Sequence, residues 1–160
     1  MSGSVTVSPD AVLAALGGEQ HETIGRVEVK RVGFVGVRTD RVDETTAFFR
    51  DVLGLPAVAT RDEHTISQMQ TGAWDFVEVF GADFGDTRLI PDEVGEGVFV
   101  AFFVDDLEEA RRDVEAAGHE IIGETIWAEQ AFSNPSFAGV GWFFARGPDG
   151  NVYVFQQVTD

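Results

Sequence analysis

The residue best placed for chemistry is a glutamate inside an apolar stretch. Glu78 lies between Val77 and Val79, so a strand that turned it inward would place a carboxylate in an apolar interior. A carboxylate is stable there only beside a cation or a hydrogen-bond donor. It could therefore bind an amine or guanidinium ligand, or act as a base. The alternatives are that Glu78 faces solvent, or that it pairs with Arg38 or Arg146.

A second group of candidate binding residues is aromatic. Aromatic side chains give large contact areas, stack on flat ligands and attract cations. The candidates for a pocket rim are Trp74, Trp127, Phe132, Phe137 and Trp142. We expect residues 127–138 to form a loop that could act as a lid, and loops often carry binding residues. Ordinary core packing is the alternative for Trp74 and Trp142.

Other residue types that support catalysis do not form a recognisable site. We expect His21, His64 and His119 at the surface, because they fall in a linker, a turn and a helix end. Asp105-Asp106 is predicted to cap a helix. There is no cysteine, and no Gly-rich phosphate motif, Ser-His-Asp arrangement or HExxH motif is present. We therefore assign no catalytic residue.

Composition limits the class of partner. The chain has 160 residues, 44% of them hydrophobic, and 28 acidic against 11 basic residues give a net charge of −17. Such a surface repels nucleic acid, whereas it could attract a cationic small molecule or reflect a salty cytoplasm. No apolar run approaches the roughly 20 residues of a membrane span. The first basic residue is Arg26, so we predict no secretory signal and a cytoplasmic protein without membrane partners.

The N-terminal part is predicted to be an extension, residues 1–29, in front of one domain, residues 30–160. Ser8 followed by Pro9 and Asp10 is typical of a helix start. Residues 11–16 continue that helix, and a Gly-Gly pair ends it. We expect this short helix to pack on the domain or on a second subunit.

The domain contains an internal repeat of about residues 31–81 and 97–157. The first module has predicted strands at Val32 to Val37, Ala57 to Arg61, Thr65 to Gln70 and Phe76 to Phe80, and a helix between Asp40 and Leu53. The second has predicted strands at Val98 to Val104, Glu120 to Thr125, Gly141 to Ala145 and Val152 to Gln156, and a helix from Leu107 to Ala117. Each module therefore reads β-α-β-β-β.

This repeat resembles the vicinal oxygen chelate superfamily, which includes glyoxalase I, extradiol dioxygenases and bleomycin-resistance proteins. The matching motifs are AFFRDVLGL at 47–55, FVDDL at 103–107, EAAG at 115–118 and PDGN at 148–151. The resemblance covers about Val32 to Gln157. It implies an α+β fold in which two tandem βαβββ modules form a curved mixed sheet around a cavity.

The resemblance also implies four metal-ligand positions on the first and last strand of each module. These positions carry His, Glu or Gln in metal-dependent members, and such side chains suit divalent transition metals. Here they fall on Phe34, Glu78, Phe99 and Val154, so one donor of four remains. A lone carboxylate cannot hold a transition metal against water, and we therefore expect no cofactor.

The resulting hypothesis is a metal-free protein that binds a small aromatic or cationic organic molecule in an aromatic-lined cavity, as bleomycin-resistance proteins do. The expected ligand-binding residues are the four strand positions, Phe34, Glu78, Phe99 and Val154, together with the five aromatic candidates. One alternative is a metal-dependent glyoxalase- or dioxygenase-type enzyme with an unrecognised site. Another is a structural or regulatory module with a closed pocket. We expect a homodimer, because cavities in this superfamily often form with a neighbouring module.

Overall fold

A computed structural model describes residues 27–61, 66–71, 75–129 and 139–159. The predicted N-terminal helix lies outside these residues. Trp74, Phe132, Phe137, His21 and His64 also lie outside them. Neither helix in the described part of the chain is long and apolar enough to span a membrane.

The described residues form strands and helices in the order that the repeat predicts. The strands are β1 (Val29–Thr39), β2 (Ala57–Arg61), β3 (Ile66–Gln70), β4 (Phe76–Gly81), β5 (Gly97–Val104), β6 (Ile121–Glu129), β7 (Gly139–Arg146) and β8 (Val152–Thr159). The helices are α1 (Val42–Ala47), which continues into a π-helical turn (Phe48–Val52), and α2 (Leu107–Ala116). A single 3-10 turn, Asp92–Val94, precedes β5. The α+β fold of two βαβββ modules is thus confirmed.

The sheet has a two-fold pattern of pairing. Its strand order is β2-β3-β4-β1-β5-β8-β7-β6. The first and last strands of each module run parallel, β1 beside β4 and β5 beside β8, whereas β1 and β5 run antiparallel at the centre. One module is therefore related to the other by a rotation about the β1–β5 contact. A single chain completes the whole sheet.

The sheet has two faces, which the register assigns. Phe34, Glu78, Phe99 and Val154 share one side, here called the inner face. Helix α2 packs on the other side, here called the outer face. There α2 covers the second module through an apolar cluster of Val104, Leu107, Ala110, Val114, Phe143 and Ala145. Buried apolar side chains thus stabilise both faces of this half of the sheet.

The predicted helix cap is confirmed. The side chain of Asp106 accepts a hydrogen bond of 2.8 Å from the backbone N–H of Glu109, the usual role of an N-cap residue. Asp105 lies 2.7 Å from the ammonium of Lys30. That contact, with a second one from Glu28, raises the pKa of Lys30. The Asp105-Asp106 pair therefore has structural partners.

The segment that joins the modules, residues 82–96 (the crossover segment), packs on the inner face. Its Phe84 and Ile90 are buried in one cluster with residues of β1, β4 and β5 to β8. The guanidinium of Arg38 donates to the carbonyl oxygens of Ala82 at 3.0 Å and Pro91 at 3.2 Å. The indole Nε1 of Trp142 donates to the carbonyl of Arg88 at 3.2 Å. The crossover segment therefore contacts both modules, through Arg38 of β1 and Trp142 of β7.

One predicted loop boundary is wrong. Trp127 was expected in a loop, but β6 continues to Glu129. The strand is interrupted between Ile122 and Ile126, where Gly123 adopts a positive φ of 71°. Pairing with β7 then resumes. A bulge of this kind hides a strand's continuation from a sequence pattern, because it breaks the alternation of apolar residues.

The centre of the sheet depends on one close contact between the modules. Gly36 of β1 pairs with Phe99 of β5, and the Phe99 ring lies over the glycine. A Cβ atom at Gly36 would lie 2.1 Å from the ring carbon Cζ, far inside the van der Waals limit. Phe99 also meets the Phe34 ring edge to face, at 5.9 Å between centroids, the geometry that aromatic quadrupoles favour.

We predict that Gly36→Ala destabilises the protein, because the new methyl group displaces the Phe99 ring from a packed position. The expected loss in the free energy of unfolding is about 1–3 kcal/mol, the usual cost of overpacking a core. Gly85→Ala is the control, since Gly85 is exposed and has no atom within 4 Å of its virtual Cβ. Urea unfolding measures both variants. Equal stabilities for the two would contradict the packing described for Phe99.

Candidate functional site

The four positions implied by the resemblance lie on four adjacent strands, β4, β1, β5 and β8. Phe34 pairs with Phe76, two residues before Glu78. On the other side Val100 pairs with Tyr153, so Phe99 lies beside Val152, two residues before Val154. Phe34 is therefore equivalent to Phe99, and Glu78 is equivalent to Val154, under the two-fold pattern of the sheet. All four side chains are buried.

Aromatic rings occupy the centre of this set. Phe34 and Phe99 are in edge-to-face contact, and Phe99 lies 5.8 Å from the ring of Phe80. Together with Val154 they present carbon and hydrogen only. Within the described ranges no group of three or more His, Cys, Asp or Glu could hold a metal ion.

Glu78 is the acidic residue among the four positions, and it is buried rather than solvent-exposed. Its side chain is 4% exposed, and that of Gln68 on β3 is 3% exposed. The two residues pair directly across the strands, and Gln68 Nε2 donates a hydrogen bond of 2.5 Å to Glu78 Oε1. A charged acceptor strengthens such a bond. The site is thus a buried carboxylate–amide pair on an apolar face.

The arginine partners considered for Glu78 make their contacts elsewhere. Arg38 donates to carbonyls of the crossover segment, as described above. Arg146 lies on β7 and forms an ion pair of 2.8 Å with Glu120. The contacts described for Arg38 and Arg146 therefore go to groups other than Glu78.

Two polar residues of the inner face were missed by sequence reasoning. Gln68 is the partner of Glu78, and Gln156 is buried between Phe103 and Trp142 in the register. Gln156 could have been found, because it lies two residues after Val154 and strand side chains alternate. Gln68 could not, since only the β3–β4 register places it opposite Glu78.

The two aromatic candidates that the structure describes, Trp142 and Trp127, lie on opposite faces of the sheet. Trp142 is buried on the inner face in the same cluster as Phe34 and Val154. Trp127 pairs with Gly141 on the outer face, where its ring lies 2.6 Å from the virtual Cβ of that glycine, and it is 49% exposed. Trp127 is therefore not part of the inner-face floor. Trp74, Phe132 and Phe137 lie outside the described residues, so their predicted role stays a prediction.

The C-terminal turn has local chemistry that is separate from the inner face. Tyr153 points to the outer face, as alternation predicts, and its hydroxyl donates a hydrogen bond of 2.7 Å to Asp149. This bond, followed by one from Asn151, holds the pKa of Asp149 below its ordinary value, because both favour the ionised carboxylate. The same contact raises the pKa of Tyr153. These groups stabilise the turn before β8.

Comparison with known proteins defines the class. The model of the Glyoxalase/Bleomycin resistance protein/Dioxygenase superfamily matches residues 31–155, which is most of the chain. The chain belongs to this superfamily. No curated protein matches it significantly.

Solved structures show the same fold at low sequence identity. A superfamily member from Vibrio splendidus 12B01 is 21% identical, with a TM-score of 0.55 over 79% of this chain and 97% of its own. A Mn(II)-bound glyoxalase from Novosphingobium aromaticivorans is 19% identical, with a TM-score of 0.58 over 82% of this chain and 40% of its own. Methylmalonyl-CoA epimerase from Mycobacterium tuberculosis is 16% identical, with a TM-score of 0.54 over 88% and 94%. At these identities the likeness concerns the fold alone.

The residues present do not fit the metal that the superfamily implies. A divalent transition metal needs three or four nitrogen, oxygen or sulfur donors that converge. Phe34, Phe99 and Val154 have none, and two of them fill the space with rings in mutual contact. Glu78 already accepts a hydrogen bond from Gln68. The described residues of the inner face therefore lack the set of donors that a transition metal needs.

We predict that donors restored at the equivalent positions will create a metal site. The variant Phe34→His/Phe99→His/Val154→Glu should gain several degrees of thermal stability with Mn²⁺, Co²⁺, Ni²⁺ or Zn²⁺, reversed by chelator, whereas the unmodified chain should show no shift. The same variant with Glu78→Gln should lose part of the gain. If the triple variant does not fold, Phe99→His/Val154→Glu offers three donors with Glu78. An equal metal-dependent shift in the unmodified chain would contradict the assignment.

Proposed function

We propose that the protein is a metal-free, ligand-binding member of the superfamily that binds a small organic cation with an aromatic or apolar body. The observation that carries this proposal is the buried Glu78–Gln68 pair on an otherwise apolar, aromatic face. It is supported by the loss of donors at three of the four family metal positions. The fold and the family do not by themselves specify this function.

The physical reasoning begins with the cost of a buried carboxylate. Moving an ionised carboxylate out of water is unfavourable unless hydrogen bonds or cations compensate the lost hydration. A ligand ammonium or guanidinium beside Glu78 would add an ion pair in a region of low dielectric constant. The net charge of −17 favours the approach of cations over anions.

The aromatic surroundings suit the rest of such a ligand. Three phenyl rings lie on the same face as Glu78. Phe99 and Glu78 both pair with Gly36, and Phe34 pairs with Phe76, two residues before Glu78. Phenyl faces attract cations and provide apolar contact area. The ligand is expected over the first module, where Glu78 of β4 pairs with Gln68 of β3.

The closed-pocket alternative has one observation in its favour. Phe84 and Ile90 of the crossover segment are themselves buried in the inner-face cluster that includes Phe99 and Val154. If comparable packing extended over Glu78 and Gln68, the protein would be a structural or regulatory module. It would then show no ligand-dependent stabilisation. The binding assay described below separates these two functions.

A homodimer stays part of the proposal, although one chain already completes the sheet. The support is an exposed apolar patch at the end of α1, formed by Phe48, Val52 and Leu53. Single exposed apolar residues are common, but clusters often mark protein contacts. Sedimentation measurements would show a monomer if this part of the proposal is wrong.

We predict that hydrophobic amines raise the melting temperature and that neutral analogues of the same shape do not. Glu78→Gln keeps the size of the side chain and removes its charge, so it should weaken the best amine at least about tenfold, which corresponds to roughly 1.4 kcal/mol. Glu124→Gln is the matched control, because Glu124 is exposed on β6 and its change alters net charge equally. Calorimetric titration measures the affinities.

Two outcomes would overturn the proposal. Absence of stabilisation across a broad panel of aromatic and aliphatic amines would favour the closed pocket. Equal losses of affinity in Glu78→Gln and Glu124→Gln would show that only the overall charge attracts the ligand.

A further inference from the structure

The inner face carries a second buried amide, that of Gln156, in the module opposite to Glu78. The side chain of Gln156 is 4% exposed. In the register it stands between Phe103 of β5 and Trp142 of β7. It shares the inner face with Val154, two residues earlier, because strand side chains alternate. The proposed function, as argued from Glu78 and its neighbours, leaves this amide without a role.

The side chain of Gln156 extends across β5 toward β1. Its Oε1 atom lies 3.4 Å from the virtual Cβ of Gly33, and the ring carbon Cε2 of Phe103 lies 2.8 Å from the same point. Gly33 belongs to an irregularity between Val32 and Val35, where β1 holds one residue more than β5. Bulges of this kind redirect side chains and are common beside functional sites. The amide group therefore lies over the central strands of the sheet.

The residues that the structure describes do not use the hydrogen-bonding capacity of this amide. A side-chain amide has two N–H donors and one carbonyl acceptor. The indole N–H of the adjacent Trp142 donates to the carbonyl of Arg88, and no other described residue forms a hydrogen bond with the side chain of Gln156. A buried amide without a partner is unfavourable. A polar group of a bound molecule would therefore be stabilised beside it.

This end of the inner face borders solvent. Phe103 is half-buried, and the guanidinium of Arg31 lies over its ring, 4.5 Å from the centroid. Arg31 also forms an ion pair of 3.1 Å with the exposed Asp75. Because the two charges balance, the pair adds no net charge that would repel an organic cation.

The amide of Gln156 and the carboxylate of Glu78 are separated by a length that one small molecule can span. Glu78 pairs with Gly36, which lies three residues after Gly33 on β1. Three residues of a strand extend over roughly 10 Å. Phe34 lies between the two glycines on the inner face, so the surface between carboxylate and amide is aromatic.

We propose that Gln156 is a second ligand contact of the inner-face site, and that the ligand is an organic cation with a carboxamide at the far end of its apolar body. The inference rests on the proposed function, because Glu78 holds the cationic end. A carboxamide offers the amide of Gln156 both a donor and an acceptor. An apolar group in that place leaves the amide unpaired, which makes Gln156 a determinant of specificity.

Two matched amines test this inference. The first is a biphenyl with an aminomethyl group at one end and a carboxamide at the other, and the second carries an isopropyl group of the same shape in place of the carboxamide. In calorimetric titration the carboxamide should bind at least about fivefold more tightly, as expected for a net hydrogen bond. Gln156→Met keeps the length of the side chain and removes its amide, so it should abolish this preference without weakening the isopropyl compound.

Gln157→Met is the matched control. Gln157 lies next along β8, and its Oε1 accepts a hydrogen bond from the backbone N–H of Leu107, the first residue of α2 on the outer face. This variant should therefore keep the preference for the carboxamide. Glu78→Gln should weaken both amines equally, because they share the ammonium group.

The possible failures of the two proposals are distinguishable. Equal affinity of both amines for the unmodified chain, or a preference that survives in Gln156→Met, would overturn this inference and leave the proposed function standing. Binding of neither amine would overturn this inference alone if other amines of the panel bind, and both proposals if none does. Unchanged thermal unfolding would show that Gln156→Met is folded, and Gln156→Leu replaces it if it is not.

Discussion

The contact of the Phe99 ring with Gly36 and Phe34 is the constraint on which the rest of the inner face depends. It lies where β1 and β5 pair and the two modules meet. The glycine lets the ring lie flat on β1, and the edge-to-face geometry with Phe34 fixes the ring's tilt. Both phenyl groups stand at positions where the resemblance implies metal ligands, so the contact that joins the modules also places rings without donor atoms at two of these positions.

The surroundings of Glu78 differ from those of a metal ligand, because the other three positions carry no donor atoms. Glu78 would be one ligand of four in a metal-dependent relative, but here its described partner is the amide of Gln68. A carboxylate in an apolar region is expensive to keep and useful for recognition of a cation. The proposal of a binding protein rests on this carboxylate and its apolar surroundings, and membership of the superfamily does not specify it.

The fold could be predicted from sequence because its signals are local and occur twice. The strand patterns, the Asp106 cap and the closing turn at residues 148–151 each follow from neighbouring residues. The four inner positions came instead from the resemblance to the superfamily. The resemblance supplied the meaning of these positions, which no composition or spacing could have provided.

What escaped sequence reasoning depends on contacts between distant residues. Gln68 becomes the partner of Glu78 only through the β3–β4 register, and Trp127 moves to the outer face through the bulge near Gly123. The burial of Phe84 and Ile90 in the inner-face cluster is also long-range. Each of these requires knowledge of which strands adjoin, whereas hydrophobic periodicity reports only on a segment's own exposure.

Metal content is the measurement that bears most directly on the central claim. The protein would be purified without chelator and without a polyhistidine tag, and its bound metals quantified by inductively coupled plasma mass spectrometry. We predict far less than one ion of any transition metal per chain. A stoichiometric ion, retained through dialysis and lost in Glu78→Gln, would show that the inner face holds a metal and would contradict the metal-free assignment.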